Sequence, residues 1–194
     1  MTFPATGIST ERLLLLGAHP SHARALQMYL LQNRAFLQPW EPSRDDAFFE
    51  LDAITERLHA MADKTASGEA LHLLIFSQDQ IIGACNFSNI VRGAFQACHL
   101  GYALAESAQG QGLMHEALTA AIAHVFDEMQ LHRIMANYRP ENERSARLLA
   151  RLGFEKEGEA RAYLRINGVW ADHVLTALIN PASDRLLQPE VLNH

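Results

Sequence analysis

Between Leu71 and Leu104 the chain runs through three apolar, β-favouring stretches, Leu71–Ser77, Ile81–Ile90 and Phe95–Leu104. Only Gln78-Asp79-Gln80 and Val91-Arg92-Gly93 separate them, so they read as a three-stranded antiparallel meander. The hydrophobic period then changes. From Leu113 to Met129 the apolar residues Met114, Ala117, Leu118, Ala121, Ile122, Val125 and Met129 fall along one side of a helix. The link between meander and helix is Leu104-Ala105-Glu106-Ser107-Ala108-Gln109-Gly110-Gln111-Gly112, a short turn with two glycines.

A helix start leaves its first N–H groups unpaired and carries partial positive charge, and Gly110 and Gly112 would let the backbone approach an anion closely. Taken alone, the turn fits either a diphosphate site or an ordinary tight turn. A P-loop is excluded because Gly-Lys-Ser/Thr is missing. A dinucleotide-binding fold is disfavoured because a meander, rather than a βαβ unit, precedes the glycines.

The remaining elements extend this pattern. Thr10–Leu16 reads as a first strand, and His19-Pro20-Ser21 opens a helix carrying Ala25, Met28, Leu30 and Leu31. Phe36–Pro42, with prolines on either side of Trp40, reads as a shaped loop before a second helix at Asp45–Thr65. Leu131–Tyr138 is a strand, Glu141–Leu152 a helix ending at Gly153, and Tyr163–Ile166 pairs with Trp170–Ile179 around Asn167-Gly168. With no repeat and no linker, the order βααβββαβαββ describes a single α/β domain over residues 1–194.

Composition narrows the function classes. Basic residues form no run longer than a pair and the net charge is −6, so direct nucleic-acid binding is not indicated and a cationic partner suits the surface better. Cys85 and Cys98 are too few for a disulfide framework or a zinc site, which fits a reducing, cytoplasmic setting. His19-x-x-His22 lacks the clustered ligands of a metal centre, so no metal is expected. No stretch is long and apolar enough to span a membrane, and Met1–Thr10 lacks the form of an export signal.

Gln109-x-x-Gly112 resembles the acetyl-CoA signature of the GNAT superfamily, with Met114 where that pattern has a small residue. Asn142-x-x-Ser145 followed by Leu152-Gly153-Phe154 resembles the second GNAT hallmark. Thr10-Glu11-Arg12-Leu13, Leu37-x-Pro39-Trp40-x-Pro42 and Leu100-Gly101-Tyr102 are similar to the branch that acetylates ribosomal-protein N-termini. His132–Tyr138 and Asn167-Gly168-x-Trp170-x-Asp172-His173 point within that branch to enzymes acting on an N-terminal alanine. The resemblance covers Thr10 to Leu178.

The resemblance implies a mostly antiparallel mixed sheet with helices on both faces, splayed to admit acetyl-CoA as cosubstrate. Gln109, Gly110, Gln111, Gly112, Leu113 and Met114 would cradle the diphosphate. Backbone groups of Tyr102, Ala103 and Leu104 would hold the pantetheine and the acetyl carbonyl. An amine then attacks the thioester directly, so the protein supplies alignment and hydrogen-bond donors rather than a covalent nucleophile. Ser145 would be the donor to sulfur. Asn142 would orient the pantetheine or fix the start of its helix, and Asn137 would assist the amine directly or through water. Trp40, Tyr163 and Trp170 would line the acceptor groove or simply pack. The partner implied is a ribosomal-protein N-terminus, on the free protein or on the assembling small subunit, with a small-molecule amine or a non-catalytic acyl-CoA-binding role as rivals.

The general base is not legible. Glu106 lies in the diphosphate turn and no carboxylate occurs between Phe87 and Leu104, which leaves a water relay. Cys98 and His99 cannot form a dyad, because neighbours on a strand point to opposite faces.

Overall fold

The computed structural model describes residues 3–4 and 6–182. A two-strand opening, β1 (Ile8–Ser9) and β2 (Leu14–Gly17), leads into α1 (Ala23–Leu37) and α2 (Leu51–Ser67). The meander β3 (Leu71–Ser77), β4 (Gln80–Val91) and β5 (Ala97–Leu104) follows, then α3 (Leu113–Asp127), β6 (Arg133–Tyr138), α4 (Glu143–Arg151) and the hairpin β7 (Glu155–Ile166) and β8 (Val169–Ile179). All eight strands join one sheet in the order β1-β2-β3-β4-β5-β6-β8-β7.

Only β5 and β6 run parallel, because α3 carries the chain across between them; every other neighbouring pair is antiparallel. The mixed α/β sheet is the one expected. Leu15, Leu73, Ile75, Phe87 and Ile134 from the strands, with Ile54, Leu58, Leu118 and Val125 from the helices, are essentially inaccessible to solvent and form the core.

Four segments differ from the sequence reading, each for a local reason. Thr10–Leu13 is a turn rather than the start of a strand: the Thr10 amide donates to the Leu13 carbonyl at 2.9 Å, closing a short hairpin. Helix α1 continues through Phe36 to Leu37, and Pro39 is accommodated in the first turn of a short 3₁₀ helix, Gln38–Trp40, where its missing N–H costs nothing. A 3₁₀ turn at Asp46–Phe49 precedes α2, and extended Glu50 separates the two. Strand β7 begins at Glu155, well before Tyr163. Its first residues, Glu155-Lys156-Glu157-Gly158-Glu159, lack apolar alternation because β7 is an edge strand whose charges face water, and two register shifts interrupt its pairing.

The expected single domain extends over residues 183–194, which lie outside the described residues.

Candidate active site

The central feature is a gap between β5 and β6. They pair only at Ala97–Arg133, Cys98–Ile134 and His99–Met135. Beyond those three pairs each strand is held by its outer neighbour alone, β5 by β4 as far as Leu104–Gly83, and β6 by β8 as far as Tyr138–Val174. Backbone groups of Leu100–Leu104 and Ala136–Tyr138 that would have joined the two strands are thus available to an extended, amide-bearing ligand.

Strand alternation sorts the side chains around this gap. Tyr102 shares a face with Cys98, Ile134, Ala136 and Tyr138, whereas Gly101 shares the opposite face with His99, Met135 and Asn137. A Cβ built at Gly101 would meet nothing within 4 Å, so space is open there. Cys98 is buried, and burial pushes its thiol up to about 12, which removes it from nucleophilic chemistry.

At the end of β5 the chain turns through a 3₁₀ segment, Glu106–Ala108, into Gly110 and Gly112, whose φ angles are +75° and +77°. Only glycine adopts that left-handed conformation without strain. Gly112 caps α3 with no side-chain hydrogen bond, and the first helical bond is Glu116 N–H to the Gly112 carbonyl at 3.0 Å. The amides of Leu113, Met114 and His115 therefore have no helical acceptor and are suited to an anion. Met114 causes no obstruction because its side chain is buried in the core. Gln109 donates from Nε2 to the Leu104 carbonyl at 3.0 Å, so its side chain holds the turn.

Two supports for this turn were not read from the sequence. The buried Asn33 on α1 accepts from the Glu106 amide at 3.0 Å while donating to the Tyr29 carbonyl at 2.9 Å. Its signal is its place on the buried stripe Leu26, Tyr29, Leu37, where a polar residue needs a partner. Arg12, quoted above only as part of a motif, reaches from the β1–β2 turn to Glu116 in the first turn of α3, with Nε–Oε2 at 2.7 Å, and donates to the Gln111 carbonyl at 3.0 Å. The Thr10 hydroxyl adds a bond to Glu116 at 2.6 Å. These donors, the Thr10 hydroxyl foremost, hold the Glu116 carboxyl below the usual carboxylate range.

Across the gap, Asn142 caps α4 by accepting the Ser145 amide at 3.1 Å, so of the two roles foreseen for it the structure displays the fixing of the helix start. The Ser145 hydroxyl lies 2.5 Å from the Tyr102 hydroxyl. Burial, with the Tyr138 phenol nearby, outweighs the Ser145 hydrogen bond and pushes the Tyr102 phenol up to about 12.

On the opposite face, Asn137 Nδ2 donates to the Tyr163 hydroxyl at 3.3 Å, and the Tyr163 ring leans on buried His173 at 5.6 Å between centroids. His173 Nδ1 lies 3.0 Å from the Ala171 carbonyl, which can only accept; this assigns the proton to Nδ1 and leaves Nε2 as an acceptor. Arg139, just after β6, donates to the Pro39 carbonyl at 3.0 Å and lies over the Trp40 ring at 5.8 Å. The Asn167 amide at the tip of the β7–β8 hairpin donates to the Glu41 carbonyl at 2.9 Å. The interhelical loop and the last hairpin are thereby joined. Trp170 is not part of this cluster: it lies on the face of β8 opposite His173 and is 63% exposed.

The acetyltransferase (GNAT) domain family matches residues 12–155, well over half the chain. The chain belongs to the GNAT acetyltransferase family. The [ribosomal protein uS5]-alanine N-acetyltransferase of Escherichia coli K12 is 49% identical over 180 residues, covering 92% of this chain and 93% of that relative. The ribosomal-protein-S5-alanine acetyltransferase of Vibrio fischeri superimposes with a TM-score of 0.86 at 41% identity, covering 90% of this chain and 96% of the other. Mycobacterium smegmatis RimJ in complex with CoA-disulfide does so with 0.84 at 29% identity, over 95% and 86%. This GNAT chain is an acetyltransferase whose cosubstrate is acetyl-CoA. The β5–β6 gap, the open space at Gly101 and the uncapped start of α3 fit that ligand's extended amide arm and diphosphate.

Proposed function

We propose that this acetyltransferase modifies the N-terminal α-amine of a ribosomal protein, preferably one beginning with alanine. The observation that carries this reading is the two-sided gap. Ser145 stands on one face, while open Gly101 and the Asn137–Tyr163–His173 cluster stand on the other. The 49% identity to the uS5-alanine acetyltransferase of E. coli, over nearly the whole chain, supports the acceptor class.

Acetyl-CoA supplies the acetyl thioester. Tyr102–Leu104 and the amides of Gly110–Met114, which Gln109, Asn33 and Arg12 keep in place, would bind it. Ser145 would donate to the departing sulfur, and Asn142 sets its position by capping α4. The amine would approach from the Gly101 side, with Asn137 and Tyr163 to orient it and His173 Nε2 as an acceptor for its proton. Trp40 borders that approach, while Trp170 would reach only the outer part of a longer acceptor.

Among the described residues no carboxylate hydrogen-bonds to Asn137, Tyr163 or His173, and that favours an α-amine. With a reference pKa of about 7.7 to 8.0, roughly a tenth of α-amines are uncharged near neutral pH, against less than about a thousandth of lysine side chains at about 10.4. With a ribosomal acceptor, on the free protein or the assembling small subunit, the reaction belongs in the cytoplasm.

Two peptides test the assignment, one with a free alanine terminus and no lysine, the other with a blocked terminus and an internal lysine. Intact-mass analysis after incubation with acetyl-CoA should show the first gaining one acetyl group much faster. Faster acetylation of the second would overturn the acceptor assignment.

A further inference from the structure

We infer that Tyr102 is a positioning residue for the reaction: its hydroxyl donates to Ser145 Oγ and so turns the Ser145 hydrogen into the gap, toward the sulfur of the leaving thiolate. The inference rests on Ser145 being the donor to sulfur.

The two hydroxyls approach to 2.5 Å although their residues are 43 apart in sequence. One of them must donate. A phenol, with a reference pKa of about 10, is a far stronger donor than an aliphatic alcohol. Tyr102 is half-buried and, like Tyr138, packed against the core, where a phenolate would be poorly solvated, so it keeps its proton. Tyr102 is therefore the donor and Ser145 Oγ the acceptor. That arrangement uses one Ser145 lone pair and leaves the Ser145 hydrogen to another acceptor. The orientation is fixed at both ends, because the Ser145 amide is held by Asn142 at the first turn of α4 and Tyr102 is held in β5 by its pairing with Cys85.

The chemistry balances without either hydroxyl losing its proton. The amine nitrogen forms the new N–C bond as the C–S bond breaks, and the electron pair of that bond leaves on sulfur. A thiol of pKa about 8.5 is a weaker base as its thiolate than either oxyanion, so proton transfer from Tyr102 or Ser145 to sulfur would run uphill. The pair instead stabilises the thiolate by hydrogen bonding, and the proton given up by the amine to His173 Nε2 reaches sulfur through water. Donation from Tyr102 also strengthens Ser145 as a donor, since hydrogen bonds in a chain polarise one another.

The test compares Tyr102→Phe, Ser145→Ala and the double variant in steady-state acetylation of an alanine-starting peptide, with thermal melts to check folding. Tyr102→Phe keeps the ring and removes only the hydroxyl. It should lower kcat about tenfold with the KM for acetyl-CoA within about twofold, the pattern of a group that acts in the transition state. Ser145→Ala should lose on the order of a hundredfold, as for loss of a preorganised donor. The double variant should be no slower than Ser145→Ala alone, because without Ser145 the Tyr102 hydroxyl has nothing to orient. The pH–rate profile of Tyr102→Phe between pH 6.5 and 9 should keep the wild-type shape. Additive losses, a kcat for Tyr102→Phe within twofold of wild type, or removal of an alkaline limb by Tyr102→Phe would each overturn the inference. An unimpaired Ser145→Ala would overturn the Ser145 assignment with it, whereas an impaired Ser145→Ala beside a normal Tyr102→Phe would overturn the Tyr102 role alone.

Discussion

Gly101→Val separates the site from the fold more cleanly than any change in the glycine turn. Gly101 lies within β5, its backbone is outside the left-handed region, and an added Cβ would meet no atom within 4 Å. The added Cβ therefore creates no clash with the protein. Valine favours extended backbone over glycine by up to about 1 kcal/mol, which at this chain length corresponds to a melting temperature unchanged or raised by about 2–4 °C. The same side chain would stand in the space beside Asn137 where the amine must approach. Displacing a reactant by about 1 Å can cost about a hundredfold in rate, so kcat/KM for the peptide should fall by about that factor or more. Gly101→Ala should show a smaller loss. Differential scanning fluorimetry and steady-state kinetics on the same preparations make the comparison. A well-folded Gly101→Val enzyme with kcat/KM within threefold of wild type would refute the placement of the reaction in the gap.

Glu116→Gln should destabilise the protein more at pH 7 than near pH 3. The native carboxyl titrates below its unfolded value, so the stability it contributes is present above the unfolded pKa and is lost as pH falls through the lower native one. Equal destabilisation at both pH values in denaturant titrations would refute that coupling. Asn33→Ala removes the acceptor for the Glu106 amide and should cost about 1–3 kcal/mol if that donor is left unpaired. It should weaken acetyl-CoA binding by calorimetry while leaving turnover at saturation close to wild type; an unchanged dissociation constant would show that the turn is held without α1.

What was legible in the sequence followed the range over which each signal acts. The bounds of β3, Leu71–Ser77, were read without error because its apolar run is fenced by turn residues on both sides. The glycine turn and the start of α3 were equally plain, since positive φ and helix periodicity are local properties. Edge strand β7 escaped because its exposed glutamates erase the alternation on which strand reading depends. In the site, Gln109, Asn142 and Ser145 were singled out through their motifs, and the structure brings the last two together. Asn33, Glu116 and the Tyr102 hydroxyl could not be found that way. Their partners lie 73, 104 and 43 residues distant, and nothing short of the folded sheet brings them within reach. Trp170 came from the same kind of motif, and strand parity places it on the face of β8 opposite His173.

The bond from the Asn167 amide to the Glu41 carbonyl makes the interhelical loop and the terminal hairpin one inheritable unit. Because that contact joins two backbone groups, side chains on either segment can diversify without breaking it. Exchange of acceptor preference between relatives would then have to move the two segments together, although some 125 residues of chain lie between them. A chimera that imports only the hairpin would pair a new rim with an old one, and a recombination strategy for altering peptide preference should treat the two ends of the chain as a single cassette.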